Sequence, residues 1–460
     1  MAGVSDLVER DATALAALIA RREVSSVEVV SAHLDAIDRL NPLVNAVVSL
    51  RDRDAVLAEA RRRDREAPRG PLHGLPVAVK DLAEVAGLPW TAGSPIHRDR
   101  VGAVDDRHVA RMRAAGAVVV GKTNTPELGY GSQTYNPVHG ATRNPYDPAR
   151  TAGGSSGGAA AALAMRMLPL ADGSDYGGSL RNPAAFCNVL GLRPSRGLVP
   201  APGFVAQLGE VGPMARTVDD LALLLGVLAG PDPTAPLSAP LPARARRGTR
   251  IAWVGDLGGH LPTEPGVLEL GRRAADVFAD LGADVVEHVP DVDWEALWRT
   301  FLTWRALAAA ELHPLLLSHR ELLKPEVVWE IERAAATSAL DVHAALVARD
   351  AWYATVLELF ERFDAVLAPS AQVFPFPVDA PWPAEIAGRE MDSYHRWMET
   401  VTPWSLAAVP VLGMPAGFDA RGLPTGVQLV GPPGGDAAVL DLARTYEAAT
   451  RWVARRPPPH

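Results

Sequence analysis

Two serines set among paired glycines, and one lysine far upstream, carry the chemistry this chain could perform. Residues 151–158 read Thr-Ala-Gly-Gly-Ser-Ser-Gly-Gly, and after an alanine-rich run residues 172–183 read Asp-Gly-Ser-Asp-Tyr-Gly-Gly-Ser-Leu-Arg-Asn-Pro. Ser155 and Ser179 each adjoin glycines, whose freedom in φ lets backbone N–H groups converge on a ligand. Residues 159–168 are predicted helical, with the helix N-terminus facing the first loop. A serine among convergent donors is what acyl transfer needs: a nucleophile beside a hole for a developing oxyanion. Lys80 closes the run Pro-Val-Ala-Val-Lys (76–80). A lysine at a strand end is ordinarily a solvated charge. Burial would disfavour the ammonium form and bring its pKa from roughly 10.4 toward neutrality, which would make it a base.

The elements that position these residues follow from periodicity. Ser25 and Glu28 have capping-box spacing, and Val27, Val30, Leu34, Ile37 and Leu40 follow at helical intervals. Residues 51–69 are charged and Ala-rich, predicting a second, exposed helix. Residues 76–81 read as a strand ending at Lys80, 104–115 as a helix, 117–120 as a buried strand and 130–150 as loop. A helix is expected at 218–228 and a linker at 230–248. Strands at 251–254 and 284–287 flank a helix at 265–281, and long helical patterns fill 294–362. Strands return at 365–368, 409–413 and 427–430 before a terminal helix at 436–450. This alternation predicts an α/β fold whose central mixed, mostly parallel sheet is covered by helices on both faces. The expected division is an N-terminal helical segment (1–65), a core with the serines and lysine (66–230), a variable helical region (231–400) and a C-terminal return to the sheet (401–460), all one compact unit.

Composition narrows the function. The 460 residues are 48% hydrophobic and 6% aromatic, with 40 glycines and 40 prolines, which describes a soluble globular protein. A net charge of −9 argues against a nucleic-acid footprint. A single cysteine, Cys187, forms no internal disulfide, and no signal-peptide pattern or membrane-length apolar run is present, so the expected location is cytoplasmic.

Two pattern matches are set aside. Residues 116–123, Gly-Ala-Val-Val-Val-Gly-Lys-Thr, satisfy the phosphate-loop expression, but the variable positions look like the strand itself rather than a loop following one. Residues 153–157, Gly-Gly-Ser-Ser-Gly, satisfy the nucleophile-elbow expression, yet turn chemistry precedes them where a strand is required. An α/β-hydrolase with Ser155 as nucleophile therefore stays a minor alternative. The twelve histidines are scattered without metal-ligand spacing, so neither metal nor cofactor is expected. Cys187 reads as a buried small hydrophobe.

The assembled segments resemble the amidase signature family. They are Gly-Leu-Pro-Val-Ala-Val-Lys-Asp (74–81), Gly-Lys-Thr-Asn-Thr-Pro-Glu-Leu-Gly (121–129), Gly-Gly-Ser-Ser-Gly-Gly (153–158), Asp-Tyr-Gly-Gly-Ser-Leu-Arg (175–181), Gly-Leu-Arg-Pro-Ser (191–195) and Gly-Leu-Pro-Thr-Gly-Val-Gln-Leu-Val-Gly-Pro-Pro (422–433). The resemblance implies a Ser–cis-Ser–Lys triad with Ser179 as nucleophile, Ser155 as the bridging serine after a cis peptide bond and Lys80 as base. It implies oxyanion donors at the backbone N–H groups of Tyr176, Gly177, Gly178 and Ser179, with Asp175 and Arg181 holding that loop. Gly129, Tyr130 and Ser156 are expected on the substrate side. Ser174 stands where the family commonly has threonine, and Tyr176 replaces a smaller residue, its ring expected to line the pocket.

The family implies a serine hydrolase cleaving aryl or aliphatic amides, with esters and carbamates (urethanes) as related substrates, acting as monomer or homodimer. The alternatives are a glutamine-hydrolysing subunit of a tRNA-dependent amidotransferase and a catalytically silent binding protein. Eight of eleven tryptophans fall between Trp294 and Trp404. Core packing is the plainer expectation for them, and pocket walls formed by Trp382, Trp397 or Trp404 the sharper one. The proline-rich run 374–383 is read as a loop able to form a lid or rim.

Overall fold

The computed structural model describes residues 4–201, 208–233, 235, 249–455 and 458. Most of the linker expected at 230–248 lies outside them. An eleven-stranded sheet organises the chain: β1 (Val47–Val48), β2 (Pro76–Lys80), β3 (Val118–Thr123), β4 (Leu170–Asp175), β5 (Leu190–Arg193), β6 (Glu210–Ala215), β7 (Arg250–Trp253), β8 (Asp284–Glu287), β9 (Ala365–Pro369), β10 (Val411–Phe418) and β11 (Pro424–Val430). Their spatial order is β1-β3-β2-β4-β6-β5-β10-β11-β9-β7-β8. Successive side chains of a strand point to opposite faces. In β2, β3, β9 and β11 every residue is buried, so both faces are covered there, by helices. One cluster of buried apolar side chains draws on the chain from Leu7 to Tyr446.

The sheet is mixed as expected, but its majority is antiparallel. Only β2–β3, β2–β4, β7–β9 and β7–β8 pair in parallel. The remaining six neighbours run antiparallel. Connection length accounts for one of these six, β10–β11. A parallel pair needs a crossover of a dozen or more residues. β10 and β11 are instead joined by a tight turn, where Gly422 (φ 84°) donates its N–H to Asp419 O and Asp419 N–H donates to Leu423 O.

Helices settle where the patterns place them. Ser25 caps the helix Ser26–Val44: its Oγ accepts from Glu28 N–H (3.1 Å) and its N–H donates to Glu28 Oε2 (2.8 Å). The helix expected at 51–69 runs Arg53–Arg65 and is less exposed than its composition suggested. Val56 and Ala60 face the core, and Arg63 lies buried against Glu59 (3.2 Å). In the helical region, Trp298, Trp352 and Trp404 are core residues, and Trp352 Nε1 donates to Pro403 O (2.7 Å). The 374–383 run is not a free lid. Phe376 O accepts from Thr151 N–H (2.9 Å), Val378 N–H donates to Ala149 O (2.9 Å), and the Phe376 ring lies 5.3 Å from that of Trp397.

The helix Gly157–Ala164 is buried throughout and starts two residues after Ser155. It crosses the chain after β3 so closely that a Cβ at Gly158 would lie 2.3 Å from Asn124 N and 2.7 Å from Ala46 O, both backbone atoms. Gly158→Ala is therefore expected to lower stability by about 1–3 kcal/mol. An unchanged urea midpoint would contradict this packing.

Candidate active site

Lys80 is the last residue of β2 and only 2% exposed. Its backbone N–H donates to Asp172 Oδ1 on β4 (3.0 Å), and Asp172 Oδ2 lies 3.2 Å from His108 Nε2. Its Nζ is 2.8 Å from Ser155 Oγ, 2.8 Å from Ser156 Oγ and 3.1 Å from Ser174 Oγ. Burial brings the Lys80 pKa down to about 7, against the opposing pull of Asp172 and Asp175. Burial thus brings the free amine within reach of neutral pH.

The loop carrying Ser155 is fixed by its neighbours. The Gly154–Ser155 peptide bond is cis. Thr134 donates to Gly153 O from both its N–H (3.0 Å) and Oγ1 (2.9 Å), and its Oγ1 accepts from Gly157 N–H (3.0 Å). A Cβ at Gly154 would come within 2.8–3.0 Å of the Gln133 backbone, so only glycine fits there.

The second loop is held by a fully buried ion pair. Arg181 Nε and Nη2 donate to Asp175 Oδ2 (3.0 Å) and Oδ1 (2.9 Å). The remaining three guanidinium N–H groups reach Val401 O (2.8 Å), Gln428 Oε1 (2.9 Å) and Ser405 Oγ (2.7 Å), so every Arg181 donor is used. Burial opposes ionisation of Asp175. The field and hydrogen bonds of Arg181, with Arg193 and the Gly178 N–H, nevertheless hold its carboxyl well below the usual carboxylate range.

That arrangement corrects one expectation. The Gly178 N–H donates to Asp175 Oδ1 (2.8 Å), so it is already committed and does not face a ligand. The N–H groups of Gly177 and Ser179 have no acceptor among the described residues. A second correction concerns Ser156. It is fully buried with its hydroxyl on Lys80 Nζ, because the turn leading into the helix Gly157–Ala164 points its side chain inward rather than toward a substrate.

Ser155, Ser179, Gly129, Tyr130, Tyr176 and Gly177 border a cavity of about 960 Å³, ample for a small organic ligand. Trp382, Trp397 and Trp404 do not line it. Trp397 is buried with its Nε1 donating to Ser132 Oγ (2.6 Å), and Trp404 packs on Trp352. The tryptophan on the cavity is Trp90, with the Arg100 guanidinium 3.7 Å from its ring centre.

Neither of the two motifs set aside finds its required context among the described residues. The segment matching the phosphate-loop expression contains β3 itself, and Lys122 is spent on Asp81 Oδ1 (3.0 Å) and Ala83 O (2.7 Å). No strand among the described residues leads into Ser155. Burial pushes the Cys187 thiol far up, away from thiolate chemistry.

Sequence reasoning missed Asp172, His108, Gln428, Ser405 and Arg193. Gln428 and Arg193 lie inside matched segments, so a signal for them existed. The partners of the others are set by sheet order, which spacing alone does not convey.

The chain is similar to known proteins along nearly its whole length. A family model described as Amidase matches residues 28–440. An acylamidase of Rhodococcus erythropolis is 35% identical, the alignment covering 97% of this chain and 96% of that protein. A glutamyl-tRNA(Gln) amidotransferase subunit of Thermus thermophilus is 38% identical over 94% and 96% of the two chains. The crystal structure of a bacterial aryl acylamidase of the amidase signature enzymes superposes with a TM-score of 0.91 at 29% identity, covering 98% of this chain and 99% of that one.

The depressed Lys80 pKa has a consequence for stability. Between the folded value near 7 and the unfolded value near 10.5 the folded chain binds fewer protons, so this group makes stability rise with pH. Wild type is expected to gain roughly 2 kcal/mol on Lys80→Met between pH 7 and pH 9. Parallel urea titrations of the two proteins would read this, and a pH-independent difference would contradict it.

Proposed function

This chain belongs to the amidase signature family, and on that premise we propose that it is a serine hydrolase cleaving carboxylic amide C–N bonds through an acyl-enzyme on Ser179. One observation carries the reading: a lysine buried with a pKa near 7, its Nζ 2.8 Å from Ser155 Oγ, at the edge of a cavity that Ser179 also lines. In this reading neutral Lys80 accepts a proton from Ser155, which takes one from Ser179 as Ser179 attacks the carbonyl. The oxyanion forms toward the N–H groups of Gly177 and Ser179, each such donor being worth about 3 kcal/mol. Ser155 returns a proton to the leaving nitrogen, and water releases the acyl group by the reverse relay. Ser156 and Ser174 fix the Lys80 Nζ through their hydroxyls. Asp175 and Arg181 keep the nucleophile loop in shape.

Aryl or aliphatic amides are the substrates this site suits best, with esters and carbamates open to the same acyl step. The likeness to an acylamidase and to an aryl acylamidase structure supports that choice. The second reading is a glutamine-hydrolysing amidotransferase component, favoured by the 38% identity to such a protein.

On an aryl anilide, kcat/KM is expected to rise with pH through about 7, because the free amine of Lys80 is the reactive form. Ser179→Ala is expected to lose on the order of 10⁴-fold or more. Retention of activity by Ser179→Ala, with loss in Ser155→Ala, would transfer the nucleophile to Ser155. Lys80→Ala should depress amide turnover more than turnover of p-nitrophenyl esters, whose leaving group needs no proton; equal losses would remove the relay. Glutamine turnover without anilide turnover would select the amidotransferase reading.

A further inference from the structure

The cavity beside Ser179 carries a cation that the proposed reaction does not use. Arg305, on the helix Trp294–Ala309, is only 8% exposed and lines that cavity. Its Nε and Nη2 donate to Glu330 Oε1 (3.0 and 2.8 Å), and Nη2 also donates to Tyr394 Oη (2.8 Å). Nη1 has no acceptor among the described residues, yet it is not sealed away from the cavity. The guanidinium lies 4.5 Å from the ring centre of Tyr130 and 4.9 Å from that of Tyr176. The Tyr130 hydroxyl likewise lacks a partner among the described residues without being sealed.

Glu330 is wholly buried and grips the Nε–Nη2 edge of the guanidinium while Tyr394 takes the second Nη2 N–H, so the direction of Nη1 is fixed. It also balances the charge. What Nη1 faces is therefore a place for an acceptor rather than an anion: a second carboxylate there would meet an Arg305 charge already matched by Glu330. Tyr176 stands in the nucleophile loop itself, which places the guanidinium beside the reacting end of the cavity. The Phe301 ring, 6.4 Å from that of Tyr176, continues an aromatic wall.

We propose that Arg305 Nη1, with the Tyr130 hydroxyl, recognises a neutral acceptor oxygen on the substrate, such as a second carbonyl remote from the scissile amide, while the apolar body of the substrate lies against Tyr130, Tyr176 and Phe301. The preferred substrates are then amides bearing a second, uncharged carbonyl. This deepens the amidohydrolase reading and rests on it.

The test is kcat/KM on matched anilides whose acyl chain, or in a second series whose amine part, ends in a methyl ketone, an isosteric alkyl group or a carboxylate. In one of the two series wild type is expected to favour the ketone over the alkyl compound by about tenfold or more, as a site built to donate hydrogen bonds rejects the analogue lacking the acceptor. The double variant Arg305→Met/Glu330→Gln removes both charges together, so no carboxylate is left buried alone. It should bring that ratio to within about twofold of unity. Tyr130→Phe, a change that removes only a hydroxyl, should lower the ratio partway and serves if the double variant does not fold. A wild-type ratio near one in both series, a preference for the carboxylate, or a ratio unchanged in these variants overturns the inference and leaves the amidohydrolase standing. Turnover of no anilide at all overturns both.

Discussion

An amine held out of water is the constraint on which the rest of this structure depends. Lys80 leaves the end of β2 into a pocket of three serine hydroxyls, and burial there pulls its pKa down. Asp172 and Asp175 pull the other way, and the balance falls near 7. Asp172 does so while accepting the Lys80 backbone N–H, so the residue that tunes the amine also fixes the strand carrying it. Moving Asp172 would change both the position and the basicity of the lysine, and moving Asp175 its basicity.

A second polar framework sits across the site from the first. Asp175 gathers the N–H groups of Gly178 and Leu180 along with the Arg181 guanidinium, which closes the nucleophile loop around one carboxylate. Arg181 then reaches three further acceptors, one of them Gln428 on β11. Gln428 is itself oriented by Pro369 O (3.0 Å) and Thr400 O (2.9 Å). The loop bearing Ser179 is thus tied to β9, β11 and the segment before β10. With its guanidinium fully satisfied, the buried pair leaves no donor idle that would otherwise destabilise the core.

Much of this was legible in the sequence, for local reasons. The helices at 218–228 and 436–450 have the bounds their periodicity predicts, and the Ser25–Glu28 cap needs only neighbouring residues. The glycine-flanked serines and Lys80 announced themselves because a tight loop beside a ligand admits few other residue types. Direction and facing were harder. Strand alternation with helices suggested parallel neighbours, whereas the short turn at Gly422 imposes a hairpin in mid-sheet. Ser155 and Ser156 are adjacent and alike, both reach Lys80, and only the cavity that Ser155 alone borders separates their roles. Gly178 looked like a donor to ligand because the Asp175 carboxylate three residues earlier could equally have pointed elsewhere. Arg305, Glu330 and Tyr394 come from three separate segments, and no spacing rule brings them together.

The hairpin of β10 and β11 lies between β5 and β9, near the middle of the sheet. It follows both serines and the lysine by a long stretch of chain, yet one of its residues, Gln428, completes the bonding of Arg181. A nascent chain that has grown only as far as β9 would hold every reacting side chain, but a gap where the centre of the sheet belongs. The site therefore matures only once β11 has left the ribosome, and a product truncated before it would expose two unpaired strand edges instead of a working centre.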